Sequence, residues 1–579
     1  MSKTESAEAG KSSQDKTPRG PQLTVGRRLL RFLWAHRIYL PFLVLAVAAL
    51  GQLYQIFLLR ITYPLDLEWM EGGTLVHALR LMDGRPLYAP PSVEFVSFLY
   101  TPGYPAVVAA LARVFGLSYF LGRFLSVVSF TAAFVVLVFW VRSTAKVYDD
   151  KRLEPLAWTA GLLSCAAVAM AYPFCGQWYD LVRADSLWLG LVAGGAFVLR
   201  PRGLSWGRVV AGALLLSAAF FTKQTAGPFM VAVAVGMALT APWRKTVAYV
   251  GLASAICVGF TWWGNHITDG WFWIYIYELH QSHKLFEERL WVETPLKLLR
   301  WGAPLWSLVA VWPLSSLARR WVSKGGLYTF LLAGCGLATA AVGSATQGAY
   351  DNAHIPAVFF SALMAAVATV DLAGSWAGAG REGAGREGGA GFLERLWGSS
   401  RESPGAVEGR ATTRAARWRG VVVGLAGLGL LSGQVVATWF SPQKTVPSAD
   451  QVNQAQRLVS YLKTLGPKVF VPYHPFYNVI AGGRGHLHIM GYNDAYSWAK
   501  SITGDRERDR SIKARFRRSV RESFRERRWS VVIHDRTFTH QLPGLRWAYE
   551  KKEDLAQRGL SPPTLTGNPC RPRYLWLPR

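Results

Sequence analysis

Residues 38–73 read IYLPFLVLAVAALGQLYQIFLLRITYPLDLEWMEGG. The stretch 38–59 carries no charge and is long enough, as a helix, to span about 30 Å of hydrocarbon. A short connector follows, and then three acids, Asp66, Glu68 and Glu71, fall within six positions. An uncharged run that ends in an acidic cluster predicts a membrane anchor whose exit carries functional groups, because ionised side chains beside hydrocarbon are costly.

Outward from this run, the whole chain fits the same medium. It has 579 residues, 51% apolar and only 17% charged, with 25 Trp. Soluble domains average about 25% charged residues. Abundant apolar surface excludes disorder for most of the chain, and five Cys exclude a disulfide scaffold. No Cys/His spacing of a zinc site is present.

Further spans are predicted at 119–141, 156–173, 184–199, 208–221, 226–241, 246–264, 301–318, 327–342, 353–373 and 420–440, eleven in all with 38–59. The polar, basic segment 1–37 lacks the early apolar stretch of a signal peptide and is read as a cytoplasmic N-terminus. Alternation from there puts 1–37, 142–155, 200–207, 242–245, 319–326 and 374–419 inside, with 8, 4, 2, 2, 3 and 8 Lys+Arg. The short outside loops 174–183, 222–225 and 343–352 hold 1, 1 and 0, as the positive-inside rule requires. The apolar run 105–117 is read as a helix lying in the outer interface, since counting it as a span would put basic loop 142–155 outside. Loop 60–118 and loop 265–300 are then the larger outer loops. Trp271, Trp273, Tyr275 and Tyr277 in the second are read as an interfacial aromatic belt. The Gly-rich, charged segment 374–419 is read as a flexible linker.

Residues 441–579 are too polar to span. Ser448 and Gln451 form a capping-box pattern. Val452, Ala455, Leu458 and Leu462 repeat at helical spacing before Gly466. Segments 468–472 and 529–534 read as strands, with a very basic stretch, 506–528, between them. A small α/β extramembrane domain on the outer (periplasmic) side is expected, carrying +14 of the chain's +28. Placed outside, that charge is available to anionic polymer or lipid headgroups, and nucleic acid is not an expected partner.

Two polar clusters face the same side by alternation: Asp66 with Glu68, and Trp178-Tyr179-Asp180-Leu181-Val182-Arg183-Ala184-Asp185-Ser186 after the third span. Acids at a helix start also serve simply to stabilise it. Lys223-Gln224 lies between apolar runs at the outer face, where a lysine can equally snorkel. Asp351-Asn352-Ala353-His354 opens a span from outside, with helix capping as the plain alternative. His280, His283 and Glu287 are spaced three and four apart, a divalent-ion spacing that more often marks an exposed polar face. His486 and His488 alternate on a possible strand. No P-loop or GxGxxG is complete.

The order of these motifs resembles the GT-C glycosyltransferases, membrane enzymes that use polyprenyl-phosphate-linked sugars. The resemblance is strongest to the bacterial group related to the dolichyl-phosphate-mannose protein mannosyltransferases and the aminoarabinose transferases. It rests on Asp66 and Glu68, on Gly84-Arg85-Pro86-Leu87-Tyr88, and on Tyr100-Thr101-Pro102-Gly103-Tyr104-Pro105. Gly122-Arg123-Phe124-Leu125-Ser126 and the Asp after the third span complete it. It covers roughly 38–370. Tyr100-Thr101-Pro102 stands where several relatives have Lys-Pro-Pro, so that lysine's role does not transfer.

The resemblance implies transfer of a sugar from a polyprenyl-phosphate donor to an envelope glycan, lipid or protein acceptor at the outer face of the inner membrane. Asp66 matches the catalytic carboxylate, with Glu68 the close alternative as base. Asp180, Asp185, Arg183, Tyr100, Lys223, Gln224, Asn352 and His354 are the substrate-binding candidates, the cations facing the leaving phosphate. Arg123 either meets phosphate or anchors its span. The resemblance names no certain cofactor, and a divalent ion is the alternative. A transporter or lipid-linked-sugar flippase is the rival reading; mid-span charges and inverted repeats, its usual marks, are not evident.

Overall fold

The computed structural model describes residues 37–148, 150–319, 322–377, 414–536 and 541–579. The readings of the basic N-terminus and of the linker 374–419 fall almost wholly outside them. Residues 42–579 form one compact unit. The helices that matter below are α1 (Leu40–Ile61), α2 (Glu71–Met82), α3 (Gly103–Phe115), α4 (Tyr119–Ala145), α5 (Leu153–Met170), α6 (Ala184–Val198), α7 (Trp206–Thr222), α8 (Ala226–Thr240), α9 (Trp243–Ile267), α10 (Thr294–Ala318), α11 (Lys324–Ala345), α12 (Ile355–Trp376) and α13 (Arg414–Ala437). In the C-terminal region follow α14 (Ala449–Leu465) and α15 (Arg506–Arg525).

The chain is a multi-pass α-helical membrane protein with a small C-terminal sheet. Among the described residues, seven helices are long and apolar enough to cross a membrane: Arg37–Ile61, Tyr119–Ala145, Leu153–Met170, Trp243–Ile267, Lys324–Ala345, Asp351–Trp376 and Ala415–Ala437. Three other expected spans fall on the shorter apolar helices α6, α7 and α8. The last, 301–318, falls on α10, which contains Pro304 and Pro313 and leaves helical geometry at Gly302. Among the described residues, the eleven expected spans thus fall on seven full-length apolar helices, three short ones and one interrupted one. Helix α12 is the buried axis, with Ile355 to Gly374 all buried, and it packs against α4, α5, α10, α11 and α13. Small residues permit the close approach: a Cβ on Gly336 would meet the Pro356 carbonyl at 2.7 Å, and one on Gly427 would meet Thr369 at 2.5 Å.

In the C-terminal region, Ser448 and Gln451 make both bonds of the capping box that starts α14. The sheet has the order β1-β2-β4-β3. Strand β1 (Val469–Phe470) runs parallel to β2 (Val531–His534), while β4 (Tyr574–Pro578) is antiparallel to both β2 and β3 (Tyr549–Asp554). The basic stretch forms α15. Ile512, Phe516, Val520 and Phe524, four apart, are its buried face, and Asp505 caps it through the Glu507 and Arg508 amides. That face shares one hydrophobic cluster with Val93, Phe95 and Phe98 of the first outer loop. The C-terminal region thus packs directly on loop 60–118. Trp271 and Tyr275 join the same cluster, whereas Trp273 and Tyr277 are exposed. Only alternate members of the expected aromatic belt are free to meet an interface.

Candidate functional site

The connector after α1 turns through Leu65 and Asp66 into α2, whose first four amides need partners. Carboxylates bond two of them, at Gly72 and the N-cap Met70, and a third carboxylate bonds Leu67 in the connector before the helix. Asp66 Oδ1 accepts from the Gly72 amide at 2.7 Å, Glu68 Oε2 from Met70 at 3.2 Å, and Glu71 Oε2 from Leu67 at 2.7 Å. The positive end of the helix favours all three anions. Gly72 is required by contact: a Cβ there would lie 3.0 Å from Asp66 Oδ1, Phe476 Cβ and the Tyr119 hydroxyl. Glu71 is closed off as a structural ion, paired with Arg123 at 3.0 and 2.7 Å; Arg123 holds its pKa down against the effect of burial.

Asp66 is buried, and its second oxygen lies 2.7 Å from His474 Nδ1. The other ring nitrogen of His474 lies 3.1 Å from Asp535 Oδ2. Two ionised carboxylates, one at each ring nitrogen, are both satisfied only by the imidazolium. Burial works against that charge, but Asp535 and Asp66 outweigh it and lift the His474 pKa to about 10. Burial pushes the Asp66 pKa up and outweighs the hydrogen bond and charge of His474, which pull it down, so the net direction is upward.

Glu68 connects this cluster to the second one. Its Oε2 is 3.6 Å from Arg183 Nη1, within ion-pair range. Its other oxygen, and Arg183 Nη1 itself, have no hydrogen-bond partner among the described residues. Burial raises the Glu68 pKa to about 8 despite Arg183, so at neutral pH it is largely protonated and able to donate. The C-terminal segment covers it: Leu565 and Thr566 donate to the Leu67 carbonyl at 2.9 and 3.2 Å. Gly567, at φ +74, approaches so closely that a Cβ would sit 2.9 Å from Glu68 Cγ.

Arg183 continues to Tyr100, whose hydroxyl is 3.2 Å from Nη2. Lys223 Nζ is 2.6 Å from Asp185 Oδ1, which also accepts from Asn352 at 3.0 Å. Arg183, Asp185, Lys223 and Tyr100, with Thr74 and His77 of α2, line a cavity of about 450 Å³ including its mouth. Apart from Thr101, its remaining walls are apolar or aromatic, among them Leu87, Phe98 and Tyr104. The two sequence clusters therefore meet at one end of the helix bundle.

The other candidates lie around this centre with their polar atoms engaged. Asp180 is fully buried in an ion pair with Arg60 at 2.8 Å and accepts from Tyr172 at 2.8 Å. Gln224 donates to the Leu99 and Ile276 carbonyls, and His354 stacks on Phe174. The expected helix face of His280, His283 and Glu287 is corrected: the helix ends at Gln281. Leu285 then bridges to Thr346, so the chain has turned away before Glu287. His280 contacts the Leu99 carbonyl and His283 faces Asp494. Among the described residues no group of three His, Cys, Asp or Glu is arranged for a metal ion. His486 and His488 lie outside any strand, and each accepts a backbone amide hydrogen bond, from Val471 and Met490. Sequence reasoning passed over His474 and Asp535, which follow the carboxyl ends of the adjacent parallel strands β1 and β2.

No family model matches the chain, and no curated protein matches it. Among solved structures the chain is similar to ArnT from Cupriavidus metallidurans in the apo state, at 12% identity and TM-score 0.49, over 94% of this chain and 98% of that one. It is similar to ArnT of the same organism bound to undecaprenyl phosphate, at 13% and 0.48, over 92% and 97%. It is also similar to the oligosaccharyltransferase AglB from Archaeoglobus fulgidus in complex with an inhibitory peptide and a dolichol-phosphate, at 10% and 0.43, over 85% and 69%.

Proposed function

We propose that this chain is a GT-C-type glycosyltransferase that moves a sugar from a polyprenyl-phosphate carrier to an acceptor nucleophile at the outer face of the inner membrane. The observation that carries the reading is the cavity at the helix ends, where Arg183 and Lys223 stand beside Asp185, Glu68 and Tyr100. Two cations there suit a phosphate that gains charge as it leaves. The buried, unpartnered Glu68 Oε1 and Arg183 Nη1 are groups a polar ligand would satisfy. Aromatic and apolar walls suit sugar faces and a lipid tail.

In the mechanism, Asp66 takes the proton of the acceptor hydroxyl or amine as that atom bonds to the anomeric carbon. The bond from that carbon to the phosphate oxygen breaks, and polyprenyl phosphate departs with the electron pair. Asp66 already accepts two hydrogen bonds, and a carboxylate has about four lone-pair sites, so its oxygens retain capacity for an acceptor's proton. Glu68, protonated near neutrality, donates to the sugar or phosphate. Glu68 is the alternative base only in its ionised form, above about pH 8. The exposed arginines of α15, among them Arg510, Arg517 and Arg521, attract an anionic acceptor.

The test is release of polyprenyl phosphate from radiolabelled polyprenyl-phosphate-linked pentoses and hexoses by the purified protein. No release with any donor, in the presence of envelope extract as acceptor, overturns the reading. Lys223→Met is expected to lower kcat/KM about 100-fold, the cost of one cation or donor at a developing anion. An unchanged value removes Lys223 from the site.

Orientation has its own test. Gln557 is exposed on the C-terminal region, so Gln557→Cys in spheroplasts is expected to react with a membrane-impermeant maleimide without lysis. Labelling only after lysis places that region in the cytoplasm instead.

A further inference from the structure

Resting on that reading, we propose that the C-terminal region completes the catalytic centre: His474, held by Asp535, is the positioning residue that orients Asp66. The two residues come from neighbouring parallel strands. Strand β1 ends at Phe470 and β2 at His534, and the chain leaves both at the same edge, so His474 and Asp535 face each other across 3.1 Å. The sheet is thereby coupled to a carboxylate more than 400 residues away in sequence. His474 is wedged further by Tyr477, stacked on it at 4.7 Å. All three members of the chain Asp66–His474–Asp535 are buried, so water does not substitute for any of them.

The arrangement has a definite electrostatic consequence. Two carboxylates and one imidazolium leave a single net negative charge. The cation lies against Asp66 on the side away from Gly72, so it favours the carboxylate form. Besides His474, the Gly72 amide and the Tyr119 hydroxyl favour the carboxylate. Glu71 from its own loop repels it, Glu68 does so only where it is ionised, and Tyr63 and Tyr477 are uncharged at physiological pH. Cys570 is a buried, neutral thiol near Asp535. His474 is thus the positive side chain in direct contact with Asp66. With it in place, the upward push of burial and of Glu71 on Asp66 is opposed by a fixed positive charge.

His474→Gln keeps a polar side chain of similar reach but removes the charge. Sign and direction follow: without the cation the Asp66 pKa rises, so the acid limb of kcat/KM moves up by about one pH unit or more. Turnover at the optimum falls about 10- to 100-fold as the carboxylate loses its fixed orientation, with donor KM unchanged. Asp535→Asn still accepts from the ring but no longer supports its charge. His474 then deprotonates well below 10, and an alkaline loss of activity moves down in pH while the acid limb stays.

Both variants are assayed by polyprenyl phosphate release across pH 5–10, on protein that elutes as one size-exclusion peak, and Asp535→Asn serves where His474→Gln does not fold. Limbs that shift as stated support the proposal. Unchanged profiles, or a loss equal at every pH, overturn it while leaving the glycosyltransferase reading standing. Failure of that reading looks different: the wild-type protein itself releases no polyprenyl phosphate, and the proposal falls with it.

Discussion

Asp66→Asn is expected to lower turnover by about 10²- to 10⁴-fold, the usual contribution of a positioned general base, with the protein still inserted and monodisperse. Asparagine preserves the shape of the side chain and the hydrogen bond accepted from Gly72. What it removes is the lone pair that receives the acceptor proton and the charge that faces His474. The amide N–H would also oppose the Nδ1–H of the imidazolium, so the ring must give up that proton or turn, a local cost of about 1–3 kcal/mol. Single-turnover release of polyprenyl phosphate by purified protein separates the chemical step from binding. Undiminished turnover removes Asp66 from the role of base. Glu68→Gln measured beside it decides between the two acids. If Glu68 is the base, the large loss belongs to that variant, and Asp66→Asn shows only the smaller effect of a disturbed helix start.

Much of the frame was legible because the bilayer imposes simple rules. Uncharged runs near twenty residues long, with basic loops on one side, locate helices with little help from tertiary context. The rules weaken where protein replaces lipid. Helices α6, α7 and α8 are short, and α10 carries two prolines, so length and hydropathy alone do not place their ends. The acidic cluster was legible as a group, but its division of labour was not. Asp66, Glu68 and Glu71 look alike in sequence, yet Arg123 converts Glu71 into a structural ion and Arg183 stands only beside Glu68. In the same way Asp180 and Asp185 are five apart, and Arg60 takes the first while Lys223 meets the second.

The tail gave a subtler signal. Its segments 468–472 and 529–534 were readable as strands, and each runs into an ionisable residue just past its last apolar position: His474 and Asp535. Ligand-facing groups gather at the carboxyl ends of parallel strands. The sequence does not state that these two strands are parallel neighbours, or that their common edge faces Asp66. That pairing joins residues about sixty and four hundred positions apart, and only packing of α15 and the sheet onto loop 60–118 produces it.

The largest effect on stability is expected from Arg123→Met. Arg123 was a sequence candidate for phosphate binding, but its guanidinium is fully buried and already committed. It makes two bonds to Glu71 and donates to the backbone carbonyls of Arg60, Tyr63 and Leu65. Those carbonyls belong to the connector that delivers Asp66 to α2. Methionine fills much of the volume but leaves Glu71 without its counter-ion and the carbonyls without donors. Removing one partner of a buried pair costs about 3–5 kcal/mol, and the orphaned carbonyls add to it. A fall of about 5 °C or more in the melting temperature of the solubilised protein is expected, followed by Trp fluorescence. Arg123→Lys is expected to recover little, since an ammonium lacks the planar fork that reaches Glu71 and three carbonyls together. Glu71→Gln is milder, because the amide oxygen still accepts from Val182 or Arg123. If Arg123→Met melts with the wild type but raises the donor KM, the residue serves the phosphate instead, and the connector must be held by other contacts.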